Sequence, residues 1–313
     1  MIRPALAGMD RRKMEKCMLC PRACGVNRAQ GQKGFCRVPG TVMVARAALH
    51  RWEEPCISGT NGSGAVFFSG CSLRCRFCQN RPVSRGETGT AVTVETLADC
   101  FLQLQREGAC NLNLVTAAQY VPQVIRAWHL AKEAGFDLPV LYNSSGYESV
   151  ETLRLLEGIV DIYLPDMKYR DEFLAAAYSG AADYPARAAE AISEMVRQQP
   201  QAVFGADGLM KKGVIVRHLV LPGHVREAKA VLKYLYDRYG NTIYYSIMSQ
   251  YTPMEAVKED PLLSRKVTAR EYERVLNYAL DLGIENGFFQ EGEAARESFI
   301  PCWEFTLPEH LLP

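Results

Sequence analysis

From residue 65 onward, short apolar runs alternate with longer stretches in which apolar residues recur three and four apart. The first pattern predicts strands and the second amphipathic helices. Strands are expected over 65–69, 111–116, 139–143, 160–165, 214–221 and 242–247, with a short extra strand over 287–290. Helices are expected over 93–107, 121–134, 149–157, 184–199, 226–239 and 268–282. Their punctuation supports these limits: Thr93 and Thr268 stand at N-cap positions, Pro185 lies near a start, and Gly108, Gly135, Gly158, Gly240 and Gly283 follow the ends. Strand–helix alternation over about 200 residues implies parallel strands joined by right-handed crossovers. Six such units fit an open, partial (β/α)6 barrel of the TIM-like kind, since a full eight-stranded barrel needs more chain.

Residues before about 65 read differently. They are rich in Cys, Gly, Arg and Pro with little sustained periodicity, which predicts a loop-rich segment stapled by metal. The expected organisation is a Cys-rich segment over 1–64, the barrel over 65–290 and a C-terminal extension over 291–313. With 48% hydrophobic residues among 313, the chain can bury a sizeable core, and 23% charged residues argue against broad disorder. The net charge of +1 gives no electrostatic reason to expect nucleic acid or an anionic membrane as partner. No apolar run approaches the roughly 20 residues that span a bilayer. Residues 1–16 lack the apolar core of a signal peptide and carry Arg11, Arg12 and Lys13, so a cytoplasmic location is expected.

Eleven cysteines are many for a reducing compartment, where clustered thiols point to metal or catalysis. Cys56, Cys100, Cys110 and Cys302 are scattered and read as small buried hydrophobes. Cys71, Cys75 and Cys78 follow the first strand at C-x3-C-x2-C spacing. Strand C-termini carry the active site in parallel α/β folds, and thiolate is the usual ligand of iron–sulfur clusters. Three protein ligands leave one iron of a [4Fe–4S] cube open to a small molecule that offers an amino and a carboxylate group, as S-adenosylmethionine does. One electron then breaks the sulfonium C–S bond and yields a 5′-deoxyadenosyl radical able to take hydrogen from an unactivated C–H. Phe77 suits a residue that covers the cluster or the adenine.

The Cys71/Cys75/Cys78 motif with Phe77 resembles the signature of the radical S-adenosylmethionine (radical SAM) superfamily. Further stretches are similar to its pyruvate formate-lyase-activating-enzyme-like branch: Cys17-Met18-Leu19-Cys20-Pro21-Arg22-Ala23-Cys24, Asp166-Met167-Lys168-Tyr169 and Arg217-His218-Leu219-Val220 among them. The resemblance covers nearly the whole chain. It implies an oxidoreductase-type enzyme that abstracts hydrogen from a substrate, a glycyl-radical protein or a small molecule. It also implies an electron donor of flavodoxin or ferredoxin type.

The superfamily places a Gly-Gly-Glu stretch after the second strand, where it meets the amino group of S-adenosylmethionine. This chain has Thr116-Ala117-Ala118-Gln119 instead, so Thr116 and Gln119 are the polar candidates there. Asn143, Ser144 and Ser145 end the third strand and can reach ribose or carboxylate oxygens. Asp166 and Lys168 match an Asp-x-Lys pair of the activating enzymes, whose lysine meets the carboxylate of S-adenosylmethionine. Of Arg217 and His218 on the fifth strand one should face inward, and His218 is taken as a cofactor contact; Gln250 and Tyr251 follow the sixth.

Cys17, Cys20, Cys24 and Cys36 can close a structural zinc site or hold a second iron–sulfur cluster, or they are simply buried thiols. Two rivals to the enzymatic reading follow from the cysteines. One is a zinc- or iron–sulfur-binding interaction module without catalysis, which has no need of a thiol loop on a strand end. The other is a thiol–disulfide oxidoreductase, for which a single Cys-x-x-Cys suffices.

Overall fold

The computed structural model describes residues 13–289. The expected C-terminal extension, Cys302, and Arg11 and Arg12 lie outside the described residues. The strands are β1 (Val42–His50), β2 (Ser63–Phe68), β3 (Thr90–Val92), β4 (Leu112–Val115), β5 (Val140–Ser144), β6 (Ile162–Pro165), β7 (Val203–Phe204), β8 (Met210–Leu219), β9 (Tyr244–Met248) and β10 (Gly287–Phe289). The helices are α1 (Pro55–Ser58), α2 (Arg81–Ser84), α3 (Val94–Arg106), α4 (Val121–Glu133), α5 (Val150–Arg154), α6 (Glu172–Ser179), α7 (Tyr184–Gln198), α8 (Val225–Tyr239) and α9 (Ala269–Leu282).

All ten strands join one sheet in the order β10-β9-β8-β6-β5-β4-β2-β1-β3, with β7 paired to β8. Along this order pairing is parallel from β2 to β10; it is antiparallel where β1 meets β2 and β3 and where β7 meets β8. The fold is therefore an open, partial (β/α)6 barrel carrying a short seventh parallel strand, β10. Helices cover the outer face, which is why β2 and β5 are buried along their whole length and read as unbroken apolar runs. The expected caps form. The Thr93 hydroxyl accepts from the Thr96 N–H, and Thr268 and Glu271 close a reciprocal capping box on α9.

Three elements differ from the sequence expectation. Residues 42–50, read as loop, form the long strand β1, which pairs in antiparallel fashion with β2 and covers an edge that would otherwise be open. Helix α6 went unread; Asp171 caps it by accepting from the Leu174 N–H at 2.8 Å. Strand β8 starts at Met210, before the apolar run at Val214, because its first residues pair with β7.

The two faces of the barrel strands hold separate clusters. Tyr142, Tyr163, Val214 and Val216 point out into the main core under the helices. Leu141, Ile162, Leu164 and Ile215 point in, where Cys56 and Ile57 of α1 pack with them as an apolar floor.

Candidate active site

Side chains alternate along a strand, so the inward face continues past this floor in steps of two. Asn143 follows Leu141, Asp166 follows Leu164, and Arg217 follows Ile215. These polar groups and the three-cysteine loop enclose a cavity of about 260 Å³ at the C-terminal ends of the strands. Cys71, Cys75, Cys78, Phe77, Thr116, Asn143, Ser144, Ser145, Asp166, Lys168, Arg217, Gln250 and Tyr251, all singled out from the sequence, line it.

The loop is braced from several sides. Gly70 turns the chain out of β2 at φ +85°, and a Cβ there would stand 2.6 Å from the Cys36 carbonyl oxygen. The Gln119 amide donates to the carbonyls of Ser69 (3.0 Å), Gly70 (3.0 Å) and Thr116 (2.8 Å). Gln119 is thus a brace beneath the loop. The Leu73 N–H points at Cys71 Sγ (3.4 Å), and Cys75 Sγ lies 3.0 Å from Ser179 Oγ, which also meets the Tyr169 hydroxyl at 3.0 Å. Phe77 is buried beside Tyr178 and Tyr251, with ring centroids 6.5 and 6.0 Å away.

As free thiols, Cys71 and Cys75 are hard to ionise. Burial pushes both upward; the neighbouring Cys75 sulfur adds to this at Cys71, while the Lys168 ammonium works against it at both. A bound metal removes that penalty, since it deprotonates coordinating thiols. Among the described residues no three metal-ligating side chains close around a single ion. A four-iron cube is wider than one ion, so three cysteines around a shared cavity suit it better. Sulfur-directed backbone N–H, thiols at the cavity wall and an adjacent cation fit an anionic iron–sulfur cluster.

Opposite the loop lies a network of charges. Asp166 pairs with Lys168 Nζ and accepts from Arg217 Nε at 3.0 Å. Arg217 also donates to Glu53 Oε2 (3.3 Å) and Asn143 Oδ1 (2.7 Å), while the Asn143 and Asn113 amides donate to Glu53 Oε1 (3.1 and 3.3 Å). Burial pushes Asp166 upward, but Lys168 and Arg217 outweigh it and hold the carboxyl below its ordinary range. For Lys168 burial opposes the charge, and Asp166 followed by Cys75 restores it, so the ammonium persists. Both ionised groups stand at the cavity wall, where they can receive a zwitterion.

Thr116 has φ +60°. A β-branched residue rarely adopts that conformation, and strain of this kind concentrates at ligand sites. The backbone is held there by Gln119 on its carbonyl and by its N–H bond to the Asn143 carbonyl (2.9 Å).

The expectation for His218 is corrected. Strand parity turns Arg217 into the cavity and His218 to the outer face, where its ring bonds the Met167 carbonyl at 2.8 Å. Burial is the main cause that lowers His218 to about 4, so it is neutral there. Sequence reasoning missed Glu53, Trp52 and His50, which also line the cavity. Nothing in the local sequence marked them: the acidic pair Glu53-Glu54 sits in a segment that already carries His50, Arg51 and Pro55.

Cys17, Cys20, Cys24 and Cys36 are brought together as well. They line a second, small cavity of about 10 Å³ with Phe35 and Arg22.

No family model matches the chain. It is 26% identical over 279 residues to Uncharacterized protein MJ0674 of Methanocaldococcus jannaschii, covering 86% of this chain and 76% of that protein. Among solved structures, HydG, a maturase of the [FeFe]-hydrogenase, superposes with TM-score 0.50 at 15% identity, over 74% of this chain and 52% of HydG. Methylornithine synthase follows with TM-score 0.48 at 14% identity, over 67% of this chain and 59% of the synthase. The chain thus spans little more than half the length of these structures. At this identity the likeness is one of fold: the chain shares the partial barrel of HydG.

Proposed function

We propose that the chain is a radical SAM enzyme, with Cys71, Cys75 and Cys78 holding a [4Fe–4S] cluster inside the barrel mouth. One observation carries this reading: three cysteines and an ionised Asp–Lys–Arg network line one cavity at the strand C-termini. When bound, the reduced cluster supplies the electron that cleaves S-adenosylmethionine to a 5′-deoxyadenosyl radical. The chain's own residues do the rest. Lys168 meets the carboxylate of the cosubstrate, Asn143, Ser145 and Thr116 supply polar contacts, and Phe77 with Tyr251 shields the loop side from water.

Within this reading the enzyme is of the activating type, drawing hydrogen from a glycine of a partner protein. The Asp166/Lys168 pair, the feature shared with that branch, supports it. The electron donor is taken to be of flavodoxin or ferredoxin type. No helix of the described residues is long and apolar enough to cross a membrane.

The test is anaerobic reconstitution followed by reduction in the presence of S-adenosylmethionine. The expected product is 5′-deoxyadenosine, absent from Cys75→Ala. A fully loaded protein that never cleaves the cosubstrate refutes the assignment. A glycyl-radical doublet in the electron paramagnetic resonance of a candidate protein substrate tests the activating step.

A further inference from the structure

Charge is distributed unevenly along the chain. Between Glu15 and Glu87 stand eleven lysines and arginines and only two acids, Glu53 and Glu54, a net charge of +9. The whole chain is net +1, so everything outside this segment sums to −8. Both acids are withdrawn from the surface. The Glu53 side chain is 9% exposed and pairs with Arg217 inside the barrel, and Glu54 is buried.

Four arginines of this segment gather against the three-cysteine loop. Arg22 Nε donates to the Ser72 carbonyl at 2.9 Å, and Arg74, itself in the loop, donates from Nη2 to the Phe35 carbonyl at 2.8 Å. Both guanidinium groups stand 3.9 Å from the Phe35 ring centroid. Close backbone packing brings Arg37 and Arg85 beside them. A Cβ at Gly70 would meet the Val38 side chain at 2.9 Å, and one at Gly86 would meet it at 3.1 Å and the Arg37 carbonyl oxygen at 3.4 Å. Arg37 is exposed and the other three are half-buried. Burial, and then repulsion from Arg37, Arg85 and Arg22, pushes Arg74 below its ordinary range. Arg37 also holds φ +64°, a left-handed backbone that arginine seldom adopts.

Among the described residues none of the four forms an ion pair with a carboxylate. Arg76, in the same loop, does so with Asp260 at 3.2 Å. Like charges held together without acids repel one another, and an anionic surface laid over them relieves that repulsion. The place narrows what that surface belongs to. Arg74 precedes Cys75, Arg22 bonds the residue after Cys71, and none of the four lines the barrel-mouth cavity. The patch thus lies within two residues of the sulfurs, on the side that cosubstrate and substrate leave free. Electron transfer weakens steeply with distance, so a carrier serving this loop has to approach there. A nucleic acid would find little to stack on, since Arg22 and Arg74 already occupy the Phe35 ring.

Resting on the radical SAM reading, we propose that Arg22, Arg37, Arg74 and Arg85 form the docking face for the electron donor, a small redox protein with an acidic surface around its redox group. The carrier is oxidised by one electron and the cluster is reduced by one, with no bond made or broken. Such encounters bury little area, and charge sets their orientation and on-rate.

The test uses the full reconstituted chain and dilute reduced flavodoxin, with bleaching of the cluster's visible absorbance followed by stopped flow. The wild-type rate constant is expected to fall about tenfold between about 0.1 and about 1 M salt, as the screening length shrinks from about 10 Å to about 3 Å. Arg37→Glu/Arg85→Glu, which leaves the bracing Arg22 and Arg74 in place, is expected to be about tenfold slower at the lower salt and nearly insensitive to salt. Reduction of that variant by a small viologen, which needs no docking face, is expected at the wild-type rate. A wild-type rate that ignores salt, a variant as fast as wild type, or equal slowing with both reductants overturns the proposal. An oligonucleotide that binds wild type but not a variant of unaltered carrier rate would assign the patch to nucleic acid instead. If the double variant fails to load iron, Arg37→Gln/Arg85→Gln takes its place, and the salt dependence of wild type still decides. Failure of the radical SAM reading is distinct: viologen would reduce a loaded wild type that never yields 5′-deoxyadenosine.

Discussion

Lys168 and Arg217 both pair with Asp166, yet their removal should have different consequences. Arg217 is the hub. It bonds two carboxylates and the Asn143 amide, and its side chain is 16% exposed against 9% for Glu53. Arg217→Met leaves Glu53 with amide donors alone and Asp166 with one cation. Removing one partner from a buried ion pair costs about 3–5 kcal/mol, and partial exposure puts the expected loss near about 3 kcal/mol. Lys168→Met leaves Asp166 bonded to Arg217 at 3.0 Å, so it forfeits one charged hydrogen bond, about 1.5 kcal/mol. The same bond, made to the carboxylate of S-adenosylmethionine, is worth a Kd about tenfold weaker when lost. Anaerobic urea unfolding of the reconstituted variants reads the first quantity, and calorimetric titration with S-adenosylmethionine reads the second. Unchanged affinity in Lys168→Met would reduce Lys168 to a counter-ion for Asp166. Equal stability losses in the two variants would refute the hub role of Arg217.

Cys71→Ala should remove about four irons and abolish 5′-deoxyadenosine formation, read by metal analysis and chromatography. Thr116→Asn should raise stability by about 1 kcal/mol in anaerobic urea unfolding, because Asn tolerates the left-handed backbone that Thr116 adopts; a comparable loss would mean that its side-chain contacts outweigh the strain. His218 is held to about 4 in the fold against 6.5 when free, so between these values the unfolded chain carries a proton that the fold rejects. Stability is therefore full above about 6.5 and falls toward pH 4 by up to about 3 kcal/mol, at about 1.4 kcal/mol per unit. His218→Asn, which can keep a donor to the Met167 carbonyl, should flatten that part of the pH profile in unfolding measurements.

What could be read in the sequence was local. The three-cysteine loop and its strand, the six parallel strands and the helix caps each lie within a window of a dozen residues. Asn143 and Asp166 were also within reach, since each ends an apolar run where parallel strands open to the site. Parity on β8 was not. Val214, Ile215 and Val216 are alike in character, and only the floor formed by Cys56 and Ile57 decides that Ile215 faces inward. With Ile215 fixed, Arg217 must enter the cavity and His218 must leave it. Strand β1 was hidden for a related reason: from Val42 to Ala47 four side chains are buried, Met43 and Arg46 are half-buried and none is exposed, so it offers no strict alternation to detect. Glu53 shows the deeper limit. It lies 164 residues from Arg217, and nothing nearby in sequence distinguishes a buried acid with a distant partner from a solvated one.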